Sequence, residues 1–216
     1  MTIVVLGSRS PRRQQILTSL LGETRLEILP PKNPDELTFD DVSDDSAIAA
    51  RLQQIVRNKS QDVQDQVLKR TDDGTERAVL SADTIVIATA NDGRRIVLGQ
   101  PDIKHWKNQV REWFQNYLSG KTHQVWTALR IHFQNRSLET IVRTEVTFCH
   151  VTSAMLDWYL TTEESLGKAG GYAVQGHAGT FVSEIRGSLT CVIGLPAVET
   201  AALLDQAGIC CWKETD

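Results

Sequence analysis

The chain opens with a short apolar run, residues 2 to 6, that passes through a polar turn at residues 7 to 10 straight into Pro11. A run this short and this apolar reads as a buried strand. Ser10 followed by Pro11 reads as a helix N-cap and first helical position. Ile16, Leu17, Leu20 and Leu21 then recur at helical spacing, and Gly22 can end the helix. A buried strand that feeds directly into a helix points to an α/β protein in which the helix packs back on a sheet.

The rest of the chain supports that class. Residues 30 to 46, rich in Pro, Asp and Ser, read as an irregular loop. A helix is predicted over 46 to 68, with Ile48, Leu52, Ile55, Val56, Val63 and Val67 on one stripe. Asp44 and Asp45 lie near its start, where the helix dipole favours acids. Residues 79 to 88 read as a strand, and Asn91, Asp92 and Gly93 as the turn to a short partner strand at 96 to 98. Ile103, Trp106, Val110, Trp113, Phe114, Tyr117 and Leu118 predict an amphipathic helix stopped near Gly120. Alternation over 123 to 133 and 141 to 151 predicts two paired strands. A helix over 152 to 160 follows, then short strands near 172–174, 180–185 and 190–193, and a last helix after Pro196. Interleaved helices and hairpins predict a twisted mixed sheet with flanking helices, carried by one domain over 1–216.

Composition narrows the function. The net charge of −4 leaves no basic surplus for a nucleic-acid polymer. No apolar run approaches the roughly 20 residues that span a bilayer, and the amino-terminal segment is not a signal peptide. Cys149, Cys191, Cys210 and Cys211 show no CxxC spacing and read as reduced thiols, so a cytoplasmic protein is expected.

Four segments can carry chemistry. Ser8, Arg9, Ser10, Pro11, Arg12 and Arg13 join a strand to a helix N-terminus, where free backbone N–H groups favour an anion. The same segment also reads as a capped surface helix with solvated arginines. Asp83, within Ser81-Ala82-Asp83-Thr84-Ile85-Val86, interrupts an apolar strand. A carboxylate there is costly unless it is paired, hydrogen-bonded or metal-bound, or else it sits at a strand end facing solvent. Gly167, Lys168, Gly170, Gly171 and Tyr172, with Gln175 and Gly176, form a Gly-rich stretch that either turns the chain or lets backbone approach a ligand. Gln175 offers a donor and an acceptor to a base edge. Lys59 lies on or beside the apolar stripe of its helix and either snorkels to solvent or reaches a phosphate. The five histidines show no zinc spacing, and Ser188 lacks the GxSxG context of a hydrolase nucleophile.

Taken in order, these segments resemble the Maf family of nucleotide pyrophosphatases. The resemblance rests on Ser8 with Ser10 to Arg13, on Ser81 to Val86, and on Leu118 to Val125 with Thr127. It continues through Lys168 to Tyr172, Gln175 with Gly176, and Gly194 to Pro196. It implies a twisted mixed sheet with two lobes around a central cleft. It also implies hydrolysis of a nucleoside triphosphate to the monophosphate and pyrophosphate, with a divalent cation, Mg²⁺ or Mn²⁺. By resemblance, Asp83 is the acid/base and metal-associated residue, and Arg12, Thr84 and Gln175 stand at positions of base selectivity. Ser8, Ser10, Arg13, Lys59 and Lys168 are expected to face phosphates. The pattern around Gln175 is closest to the branch acting on dTTP and UTP. The expected partner is the nucleotide, with a homodimer left open. One departure is plain: Gln100, in Gly99-Gln100-Pro101, stands where the family has a lysine. The loop acid expected by resemblance is either Asp35 or Glu36. The rival readings are a nucleotide-binding regulator with weak or lost catalysis and an interaction protein that keeps only the fold.

Overall fold

The computed structural model describes residues 2–33, 37–70 and 74–211; Asp35 and Glu36 lie outside them. The first strand, β1 (Ile3–Leu6), passes into α1 (Pro11–Leu21) as expected. Ser10 Oγ accepts the Arg13 backbone N–H at 3.4 Å, and Gly22, at φ 76°, ends the helix. A three-residue strand that the sequence did not announce, β2 (Leu26–Ile28), comes next. The long helix α2 (Asp45–Leu68) is capped by Asp44, whose carboxylate accepts from the N–H groups of Ser46 and Ala47. The hairpin of β3 (Arg77–Thr89) and β4 (Arg95–Leu98) follows, then α3 (Trp106–Trp113) with a π-helical turn over Phe114–Leu118. The paired strands β5 (Thr122–Phe133) and β6 (Arg136–Phe148) lead to α4 (Ser153–Thr161), β7 (Val182–Arg186), α5 (Leu189–Ile193) and α6 (Ala197–Gln206).

The seven strands make one mixed sheet in the order β2-β1-β3-β5-β6-β7, with β4 also on β3. β1 runs parallel to β2 and β3, and the other pairs are antiparallel. The register around β3 decides where a site can form. β5 pairs with residues 79 to 87 along one edge. The other edge is shared: β1 pairs with residues 77 to 80 and β4 with residues 86 to 89. Residues 81 to 85 therefore face no strand on that edge, and the chain leaves β1 there to begin α1.

The two faces of β3 are covered differently. On one face, Ala78, Leu80 and Ala82 pack with Leu6, Leu17, Leu129 and Leu204. Further along the same face, Val86 and Ala88 pack with Val110, Phe114, Phe148 and Tyr159. Thr84 lies between these two clusters, opposite Thr127 of β5. On the other face α2 supplies Ile48, Leu52 and Val56 against Ile85 and Ile87. Apolar burial of this kind contributes about 25 cal/mol per Å² removed from water. The polar residues of β3 thus mark the seam between two apolar bodies.

Three local expectations change. Residues 190 to 193 are helical rather than extended, because Ser188 Oγ caps the Cys191 N–H at 3.1 Å and Gly194, at φ 121°, stops the turn. Residues 172 to 174 form no strand. Gly170 and Gly171, at φ 68° and 67°, turn the chain away from any ladder. The Asp102 carboxylate accepts from the N–H groups of Lys104 and His105, so the helix begins only at Trp106 and Ile103 is left 82% exposed. Cys149, Cys191 and Cys211 are free thiols.

An aromatic cluster fixes the Gly-rich segment from below. Tyr172 is buried, and its hydroxyl lies 2.7 Å from His123 Nε2 of β5. Tyr159 donates to the Gly171 carbonyl at 2.9 Å. A Cβ on Gly170 would lie 2.8 Å from Val86 Cγ2, so the backbone rests directly on β3. Burial pushes the His123 imidazole from 6.5 down to about 3, so it is neutral in the folded protein. The unfolded chain binds that proton more readily. The stabilisation is therefore complete above about pH 6.5 and is lost progressively as pH falls toward 3. Between pH 7 and pH 5 this one group should remove about 2 kcal/mol of unfolding free energy. Urea unfolding at the two pH values should show that loss in the native protein and a smaller one in His123→Gln. Equal losses in both would assign the acid sensitivity elsewhere.

Candidate active site

The unpaired stretch of β3 opens into a cleft of about 520 Å³, within the usual range for small-ligand sites. Of the residues singled out above, these line it: Ser8, Ser10, Arg12 and Arg13 from the β1–α1 turn, Lys59 from α2, and Asp83 and Thr84 from β3. Gln100 lies just past β4, and Lys168 and Gln175 come from the Gly-rich segment. Residues separated by up to 167 positions thus meet at one opening.

Asp83 points toward α2, where Lys59 Nζ donates to its Oδ1 at 2.6 Å. The two side chains are only 13% and 16% exposed. Burying two charges to this extent costs desolvation that their attraction roughly offsets. The pair therefore contributes little to stability and leaves a carboxylate and an ammonium at the cleft wall.

Thr84, on the opposite face, is held by a chain of hydrogen bonds whose direction is determined. Arg13 Nη2 donates to Thr84 Oγ1 at 3.1 Å. Thr127 Oγ1 donates to the Cys191 carbonyl at 2.9 Å, so the 2.9 Å contact between the two threonines is donated by Thr84. Sequence reasoning listed Thr127 among the matched residues but gave it no role. Its place opposite Thr84 follows only from strand register.

Arg13 is the staple of the cleft. Besides Thr84, it donates to Ser8 Oγ at 3.2 Å, to the Ala82 carbonyl at 2.8 Å and to the Gly194 carbonyl at 2.8 Å. The Ala82 carbonyl belongs to the stretch of β3 that lacks a partner strand, and Arg13 satisfies it in place of one. Ser8 Oγ also accepts the Ser10 N–H at 3.2 Å, which shapes the turn before α1.

The remaining wall is built by the 30–33 loop and the Gly-rich segment. Asp62 of α2 accepts the N–H groups of Lys32 and Asn33, holding that loop over the cleft; burial acts to raise its pKa, and these bonds together with one from Gln66 bring it below the usual value. Sequence reasoning gave Asp62 no part. The Gly170 N–H donates to the Gly99 carbonyl at 3.0 Å, tying the end of β4 to the segment that carries Lys168. Glu164 accepts the N–H groups of His177 and Ala178, which lowers its pKa and anchors the turn after Gln175. Burial, then the nearby Arg12, lower the pKa of Lys168.

This arrangement suits a polyanion. Cations line the opening, a helix N-terminus faces it, and among the described residues one carboxylate, Asp83, stands in its wall. The sequence profile of Maf-like proteins matches residues 3–207. The chain belongs to the Maf-like family. A protein of Shewanella oneidensis is 35% identical over 212 residues, covering 95% of this chain and 98% of its own length. One from Anaeromyxobacter dehalogenans is 36% identical over 211 residues, covering 95% and 94%. One from Bordetella avium is 37% identical over 205 residues, covering 94% of each. All three are named dTTP/UTP pyrophosphatase.

Arg13→Ala removes four bonds to acceptors inside the protein. Loss of that many charge-assisted bonds should destabilise the fold by about 2–4 kcal/mol. A fall in the urea midpoint of the ligand-free protein checks this. An unchanged midpoint would show that Arg13 serves the ligand alone.

Proposed function

We propose that this Maf-like protein hydrolyses dTTP and UTP to the monophosphate and pyrophosphate. The observation that carries the reading is the Asp83–Lys59 pair at the unpaired edge of β3, beside the cationic turn into α1. Water attacks the α-phosphorus, the bond from that phosphorus to the oxygen bridging to the β-phosphorus breaks, and pyrophosphate leaves. Asp83 accepts the proton of the attacking water. Lys59 holds the carboxylate in place and offsets negative charge on the phosphates. Ser8, Ser10 and Lys168 face the phosphates, and Arg13 fixes the Ser8 hydroxyl among them.

A divalent cation, Mg²⁺ or Mn²⁺, fits this site. Among the described residues Asp83 is the one carboxylate lining the cleft, and no group of three acids, histidines or cysteines gathers there. Mg²⁺ is commonly held by one or two carboxylates with substrate phosphates completing its shell. When bound, the ion would neutralise charge building on the departing pyrophosphate.

Base choice is expected at Arg12, Thr84 and Gln175. Uracil and thymine present an N–H between two carbonyls, and the Gln175 amide offers both an acceptor and a donor to that edge. Cytosine presents the reverse order, an amine beside an unprotonated ring nitrogen, so the Gln175 amide would have to turn over to meet it. The rival reading as a regulator draws no support from the site, where the carboxylate, the ammonium and the turn are brought together.

Pyrophosphate release from dTTP, UTP, dCTP and GTP is the direct test. Release should be metal-dependent and greatest with dTTP and UTP. Asp83→Asn should lower kcat by about 10²- to 10⁴-fold in protein whose urea midpoint shows it to be folded under the assay conditions. Orthophosphate as the first product, or a variant as active as the native enzyme, would contradict the assignment.

A further inference from the structure

The cations of the cleft are not equivalent. Lys59 is paired with Asp83, and Arg13 is bonded to carbonyls and hydroxyls of the protein. Arg12 and Lys168 differ from both. Neither forms an ion pair among the described residues, both line the cleft, and both are partly shielded from solvent. Among the described residues the Lys168 ammonium has only the neutral Leu166 carbonyl, at 3.3 Å, as a hydrogen-bond partner. Glu164 is near enough to favour its charge, but that carboxylate is turned to the N–H groups of His177 and Ala178. Arg12 acts on Lys168 as a like charge, which together with burial lowers the pKa of the lysine. Two half-shielded cations that repel each other across an opening are costly unless an anion comes between them.

Among the described residues, the wall that carries Lys168 offers no other charge to the cleft. The Gly99–Gly170 bond places the end of β4 beside this segment, and the side chain that lines the cleft there is the neutral Gln100. We infer that Arg12 and Lys168 form a two-cation clamp that closes on the polyphosphate of the substrate, with Lys168 alone supplying the charge of the wall that Gln100 leaves neutral. The inference rests on the cleft being a nucleoside triphosphate site and assigns which cations recognise the phosphate chain. Arg12 then contributes to selectivity through the phosphates as well as through its position near the base.

Calorimetric titration with tripolyphosphate, which has no base and no nucleoside bond to cleave, tests the clamp without turnover. Lys168→Met and Arg12→Met should each weaken binding by about 10- to 100-fold, the usual effect of losing a charge-assisted bond. Thymidine binding should change far less. The decisive variant is Gln100→Lys. It should restore tripolyphosphate binding to Lys168→Met, because it returns a cation to the same wall, and it should gain much less in the native background, where it meets Lys168. A merely structural lysine would not be rescued this way. Equal gains from Gln100→Lys in both backgrounds, or native affinity in both methionine variants, would overturn the clamp. Should Lys168→Met not fold, Arg12→Met and Lys168→Arg carry the test. The first must weaken binding and the second must keep it, and any other pair of results overturns the inference. If no nucleotide yields pyrophosphate yet tripolyphosphate binding depends on Arg12 and Lys168, the function assigned above fails and the clamp stands.

Discussion

The structure depends on how the open edge of β3 is satisfied. A central strand presents backbone carbonyls along both edges, and buried ones must find a partner. β1 ends at Leu6 and β4 begins pairing only at Val86, so the carbonyl of Ala82 meets no strand. Arg13 supplies the missing donor. In doing so it also holds Ser8, Thr84 and Gly194, and it draws the start of α1, β3 and the end of α5 to one point. The cleft is what remains of that edge once the guanidinium has closed the rest of it.

From this follows the division of labour between neighbouring residues. Because side chains alternate across a strand, Asp83 and Thr84 face opposite layers. Asp83 meets Lys59 of α2, and Thr84 meets Thr127 and, through Arg13, α1. The open edge lets a ligand reach both. A site assembled this way is rigid on the sheet side. Its variable side is the Gly-rich segment, seated on Val86 through Gly170 and held by the Tyr172–His123 and Tyr159–Gly171 bonds. Gln175 sits at the exposed rim of the cleft, away from the seam.

Much of this was legible in the chain itself, for particular reasons. The strand–turn–helix opening was readable because Ser10 and Pro11 are strong local signals, and α2 because its apolar stripe runs for several turns. Asp83 stood out as a charge in an apolar run, and it lines one cleft with Ser8, Ser10, Arg12, Arg13, Lys59, Thr84, Lys168 and Gln175, which the resemblance to Maf proteins singled out. What escaped depends on distance in the sequence. No local pattern says that Arg13 reaches Ala82, that Thr84 lies opposite Thr127, or that Asp62 holds the 30–33 loop. Residues 190 to 193 were misread because an apolar run of that length suits a strand, whereas the Ser188 cap and Gly194 stop make it a helical turn. Ile103 was misread because its spacing fits the helix, although the turn at Asp102 comes first.

The central claim is that a triphosphate reacts at the gap between β1 and β4, against Asp83 and Lys59. A crystal structure with Mg²⁺ and a dUTP analogue whose α,β-bridging oxygen is replaced by an imido group tests it most directly. The account predicts the phosphate chain in that gap, with the α-phosphate beside Asp83. A phosphate chain bound elsewhere, with the Asp83–Lys59 pair undisturbed and remote from it, would contradict the account.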